Sequence, residues 1–206
     1  MVRAMNVPRL AAAALSALAL LLPVAAGAHP HIFVEHHMQV LFDQSGATGL
    51  RMEWSFDEMY SSTLRSDYTE TPKGPITAKD VLSLRDTHFA PVAGKHFFAT
   101  ATINGERVPL DQFTDFDAKF VDDKAIYSFT IPLKPVKPAA KNTLEVTIFD
   151  PEYYIDFELA ADDPVKAVGG QKIGASCTNT TVSKDTIGWG QVDTDLVSCT
   201  YSGSAS

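Results

Sequence analysis

Three residues near the start of the chain, His29-Pro30-His31, carry the densest chemistry in it. If export cleaves the chain after Ala28, His29 becomes the N-terminus, and its α-amine and imidazole form a chelate. An α-amine titrates at about 7.7–8, so a metal ion can displace its proton at neutral pH. His31 adds a second imidazole, a donor that suits zinc, copper, nickel and iron. The square-planar amino-terminal copper and nickel motif needs the amide nitrogen of the second residue. Pro30 has no N–H to lose, so that geometry is excluded. What remains is an N-terminal histidine brace, or a site where His29 and His31 are joined by groups from elsewhere. The plain alternative is a chain end that happens to carry two histidines.

Two acidic aromatic segments supply candidates for those other groups. In WSFDEMY, Asp57 follows a strand and opens a helix, where a carboxylate is an ordinary N-cap. In FDPEYY, Asp150 precedes Pro151, an ordinary turn initiator. Both place a carboxylate at a strand end, and strand ends gather on rims where loops carry function. A carboxylate added to two histidines makes a mixed nitrogen and oxygen site. The candidate metal ligands are therefore His29, His31, Asp57 and Asp150, with Glu58, Tyr60, Tyr153 and Tyr154 as supporting or contact residues. His36 and His37 alternate faces of one strand and cannot share an ion. His37 lies about 20 Å from His31 by strand rise, and His36 is expected in the core. His88 and His96 have no readable partner. No GxSxG, HExxH, phosphate loop or lone Cys with a His partner occurs, so the chain is not read as an enzyme.

The elements that must hold these residues follow a leader. Residues 1–28 read as a signal peptide: Arg3 and Arg9, an apolar Leu10–Leu22, Pro23, and small residues at Ala26 and Ala28. Its removal takes 28 of 206 residues and leaves 178, enough for one domain. It also removes two positive charges, taking the net charge from −8 to −10. An acidic exported chain is a poor nucleic acid binder. Cys177 and Cys199, in an exported chain, are expected to pair.

The mature chain reads as mainly β. Ile32, Val34, His36, Met38, Val40 and Phe42 alternate onto one face of a strand over 31–42, and a turn over 43–49 leads to a second strand over 50–56. Helices are expected over 57–68 and 77–88, the second capped by Thr77 and ended by Pro91 and Gly94. Strands return from His96. Hairpins turn at Asn104-Gly105 and Asp122-Asp123, and two strands flank Asp150-Pro151. The expected fold is an antiparallel β-sandwich over 29–159 with a helical insertion at about 57–90. The segment 160–206 is expected to be stapled by the disulfide and packed on, or trailing, that domain.

With HPHIFVEHH, WSFDEMYS and FDPEYYIDF in view, the chain resembles an uncharacterised family of bacterial periplasmic proteins, described as the periplasmic component of an ABC-type transport system. Genes of that family often lie beside, or are fused to, those of nickel/cobalt permeases. The resemblance points to His29, His31, Asp57, Glu58, Tyr60, Asp150, Tyr153 and Tyr154, and it reaches to about Leu159. It implies metal handling without naming the ion. The expected function is a periplasmic accessory that binds a divalent transition metal ion (nickel, cobalt, zinc or copper) for a membrane metal permease. The alternative is an interaction module of such a permease that binds no metal. A copper-dependent oxidase built on the N-terminal brace is a third and weaker option.

Overall fold

The structure, a computed structural model, describes residues 30–134, 136 and 139–203. The signal-peptide segment and His29 lie outside them. Among the described residues eleven strands form two sheets packed face to face. The first sheet contains β1 (Ile32–Asp43), β2 (Gly46–Phe56), β5 (Thr114–Val121), β6 (Lys124–Pro132), β8 (Ile155–Leu159) and β9 (Val165–Val168). Its order is β5-β6-β2-β1-β8, and β9 also pairs with β1. The second contains β3 (Ala99–Ile103), β4 (Glu106–Val108), β7 (Lys141–Ile148), β10 (Ser176–Asp185) and β11 (Gln191–Ser202), in the order β10-β11-β7-β3-β4. The helical insertion after the first hairpin comprises α1 (Glu58–Tyr68), α2 (Ala78–Ser83), a π-helical turn Leu84–Phe89 and 3-10 turns Ala90–Phe98.

The alternation of β1 is realised. Ile32, Val34, His36, Met38, Val40 and Phe42 are buried, whereas Phe33 and Glu35 face solvent. They meet Leu50, Met52, Trp54, Tyr127, Phe129 and Ile131 of the same sheet and Ala101, Ile103, Leu144, Val146 and Val197 of the other in one core. Pairing within each sheet is antiparallel except on one side of β1, where β8 and β9 run parallel to it. The parallel pairing brings the start of β8 to the start of β1, with Ile32 opposite Ile155. Antiparallel β2 brings its end there too, with Val34 opposite Phe56. One rim of the first sheet thus gathers three chain segments.

Several boundaries differ from the sequence reading. β2 begins at Gly46 rather than Leu50, because Asp43 accepts from the backbone and hydroxyl of Ser45 and closes the turn within two residues. Gly46, at φ +127°, lies against the ring of Tyr201, a conformation and a space that suit glycine. The second helix is α-helical only to Ser83 before it widens into the π-turn. The strand expected from His96 begins at Ala99. His96, Phe97 and Phe98 instead take left-handed φ of 53°, 56° and 52°. The segment after Leu159 supplies three strands, with β9 on β1 and β11 on β7. The expected disulfide joins Cys177 and Cys199, which face each other across β10 and β11. No helix among the described residues is long and apolar enough to cross a membrane.

Candidate functional site

The rim at the start of β1 is built by backbone bonds that two carboxylates reinforce. His31 and Ile32 both donate to the Tyr154 carbonyl, at 2.9 and 3.2 Å. The His31 ring lies against the Tyr154 ring with centroids 4.8 Å apart. His31 is therefore fixed to the body of the protein by backbone and side chain together.

Asp57 caps α1 and also clamps β1. One carboxylate oxygen accepts from the Tyr60 N–H at 2.8 Å, and the other from the Phe33 N–H at 3.0 Å. The Asp57 N–H in turn donates to the Phe33 carbonyl at 3.0 Å. The N-cap role read from sequence holds, and the tie to Phe33 adds a link that sequence does not show. Each Asp57 oxygen accepts one hydrogen bond here and keeps a second lone pair.

Asp150 is buried and braces the crossing from β7 to β8. Its carboxylate accepts from the N–H groups of Glu152, Tyr154 and Ile155 at 3.1, 3.0 and 3.1 Å. Tyr153, inside this turn, has a left-handed φ of 53°. Burial first, and then the nearby Asp156 and Glu158 carboxylates, push the Tyr153 phenol up. The chain of support runs from Asp150 to the Tyr154 backbone and from there to His31. Glu58 is exposed in the first turn of α1.

Tyr60 leads inward from the rim. Burial foremost, then Tyr68, Tyr154 and Asp57, push its phenol up to about 12. Its hydroxyl lies 2.8 Å from His88 Nε2, and the Tyr127 hydroxyl lies 3.2 Å from His88 Nδ1. A neutral imidazole offers one donor and one acceptor, so one tyrosine donates and the other accepts. Burial lowers His88 to about 4, which keeps the ring neutral at physiological pH. The sequence reading left His88 without a partner. Its bonding to Tyr60, 28 residues away, is created by the π-turn that carries it, and π-turns often sit at functional sites.

His36 occupies the core as expected, and its Nδ1 has no hydrogen-bond partner among the described residues. His37 lies on the opposite face of β1, and His96 donates from Nδ1 to the Leu110 carbonyl at 3.1 Å. Ser61, whose hydroxyl donates to the Phe56 carbonyl and accepts from the Ala125 N–H, pins α1 to β6. Among the described residues no three of His, Cys, Asp and Glu gather closely enough to hold a metal ion. His31 and the two aspartates flank one rim.

A family described as "Protein of unknown function (DUF1007)" matches residues 14–187, which include the HPH, WSFDE and DPEYY stretches. The chain belongs to that family. It is also similar to an "Uncharacterized protein" of Haemophilus influenzae (strain ATCC 51907 / DSM 11121 / KW20 / Rd), 24% identical over 140 residues. That match covers 67% of this chain and 66% of the relative.

Proposed function

We propose that the protein is a periplasmic accessory that binds a divalent transition metal ion (nickel, cobalt, zinc or copper) and serves a membrane metal transport system. His29 and His31 supply nitrogen ligands. Asp57 completes the site, and Asp150 supports it by holding the turn that carries Tyr154. The observation that carries this reading is the clamping of His31 by the Tyr154 carbonyl and ring. A histidine meant only as a loose chain end has no need of such a brace, whereas a ligand gains affinity when it is positioned before the ion arrives. The donor chemistry also suits the ions named: imidazole with one carboxylate fits these metals better than calcium or magnesium. The resemblance to a periplasmic transport component supplies the permease as partner.

The test is titration of the processed protein with nickel, cobalt, zinc and copper. Micromolar or tighter binding is expected, falling at least about 100-fold in His31→Ala. Binding should weaken steeply below about pH 6, where imidazoles protonate. Binding untouched by His31→Ala would remove the site.

A second reading has an observation of its own. Phe33, Met59, Tyr154 and Ile187 are 50%, 73%, 47% and 69% exposed. All four belong to segments of this rim, with Ile187 tied through its N–H to the Pro151 carbonyl at 2.7 Å. An apolar group of this kind suits an interaction module of a permease that binds no metal itself. Contact with such a partner has no requirement for neutral imidazole, so its pH dependence separates the two readings.

A further inference from the structure

Beside Tyr154 the surface opens into a cleft of about 450 Å³, within the usual range of small-molecule sites. Its apolar wall is formed by Phe98, Phe149, Tyr154, Ile155 and Ile187. Lys95, His96 and Arg107 also line it. His96, Ala99, Thr100 and Arg107 continue into a second hollow of about 300 Å³ walled by Val108, Pro109 and Leu110.

Three observations about the cleft point the same way. First, the cations are not paired with acids: among the described residues neither Lys95 nor Arg107 stands in an ion pair, although the chain carries a net charge of −8. Arg107 makes one hydrogen bond, to the Thr100 hydroxyl at 3.3 Å. Secondly, of the two acids in the lining, Asp150 is buried with its charge met by three backbone N–H groups. Among the exposed charges of the lining, Glu152 therefore stands against Lys95 and Arg107. Thirdly, the wall that bears His96 is held in an unfavourable backbone. Three consecutive non-glycine residues, 96–98, have left-handed φ, a conformation that residues with a Cβ adopt rarely. Such strain persists where surrounding packing dictates it, and it clusters at ligand-binding segments. Here the fully buried Phe97 ring anchors the segment, while His96 and Phe98 line the cleft on either side of it.

We propose that this cleft binds a small amphipathic organic acid, its anionic head between Lys95 and Arg107 and its apolar body against Phe149, Ile155 and Ile187. The site is independent of the metal reading, although Tyr154 borders both. The His96 ring is held at the edge of the cleft by donation from Nδ1 to the Leu110 carbonyl.

Two fluorescent probes with nearly the same aromatic body test this on the full mature protein: anionic 1-anilinonaphthalene-8-sulfonate and neutral N-phenyl-1-naphthylamine. The anionic probe should bind saturably. It should bind about tenfold more weakly to the double variant Lys95→Gln/Arg107→Gln, with the neutral probe changed by less than about twofold. Ile187→Ser should weaken both probes, and Arg85→Gln neither. Displacement of the anionic probe by 3-phenylpropionate but not by its amide would add the carboxylate directly. The proposal is overturned if the anionic probe does not bind, if both probes respond alike to loss of the two cations, or if the double variant binds the anionic probe as the parent does. Because Lys95 and Arg107 are exposed, the double variant should keep the parent's circular dichroism and melting behaviour.

Discussion

At the scale of single residues, the histidines divide by environment. His31 sits exposed at a braced strand start, whereas His36 and His88 are withdrawn from water. His36 is lowered to about 3, by burial first and by its neighbour His37 second. In the unfolded chain an imidazole titrates near about 6.5. As pH falls below that value the unfolded chain takes up a proton that the folded protein refuses. Stability therefore drops with falling pH, by up to about 1.4 kcal/mol per unit for each such group, until the folded value is reached. His88 contributes the same sign down to about 4. Replacing His36 by Leu removes one of these contributions along with an unpartnered buried nitrogen. Urea midpoints at pH 7 and pH 5 should then lie closer together than in the parent protein. An unchanged gap would mean that His36 already protonates in the folded state. The core position of His36 was legible from strand alternation alone. The partners of His88 were not, because Tyr60 and Tyr127 approach it only once α1, the π-turn and β6 have packed.

At the scale of elements, short polar side chains that satisfy backbone groups decide where the site can form. Asp80 receives the N–H groups of Glu70 and Thr77 and the hydroxyls of Thr71 and Thr77. The Thr71 hydroxyl first, then the Thr77 and Glu70 N–H groups, hold its carboxyl well below the usual carboxylate range. The capping box with Thr77 closes the start of α2. Asp150 does similar work at the rim, and its replacement by Ala should cost about 2–4 kcal/mol, because three N–H groups would lose their acceptor. The same change should lower metal affinity through a loosened Tyr154 backbone. Equilibrium unfolding and metal titration of one variant check both, and full stability would contradict the bracing role. Helix starts were readable because Asp57 and Thr77 are cap residues at the heads of helical patterns. The left-handed segment 96–98 was not, since two of its three residues are Phe, which carries no local preference for that conformation, and Phe97 is fully buried. β10 was also missed as a strand, because its outer-edge position leaves most of its side chains exposed and removes the alternation that marks β1.

At the scale of the whole molecule, the sandwich closes with strands from the C-terminal segment. β9 lies on β1, and β11 lies on β7, whose exit leads into Asp150. The Gly169 that follows β9 has φ +81°, and a Cβ there would stand 2.3 Å from the Phe42 carbonyl oxygen. The chain can therefore pass β1 at that point only as glycine. The Cys177–Cys199 bridge pins β10 to β11, with 22 residues of sequence separation. Its removal by Cys177→Ala/Cys199→Ala should lower unfolding free energy by about 3 kcal/mol in the chain-entropy picture, read from urea midpoints. No change would indicate that β10 adds little to global stability. The sandwich class was legible from strand spacing, and the pairing of the cysteines from the reading of residues 1–28 as a leader. The union of His31, Asp57 and Asp150 on one rim depended on β8 running parallel to β1, and no local pattern in the sequence encodes that pairing.

The N-terminal metal site is tested most directly by a single comparison. Protein processed in a periplasm to begin at His29 is titrated beside a form with one extra residue before His29. The extension leaves His31, Asp57 and Asp150 untouched and converts the α-amine of His29 into a peptide nitrogen. Micromolar or tighter binding in the first, weakened at least about tenfold in the second, is the expected result. Equal binding by the two forms, or binding by neither, would contradict it and leave the interaction module as the better reading of the rim.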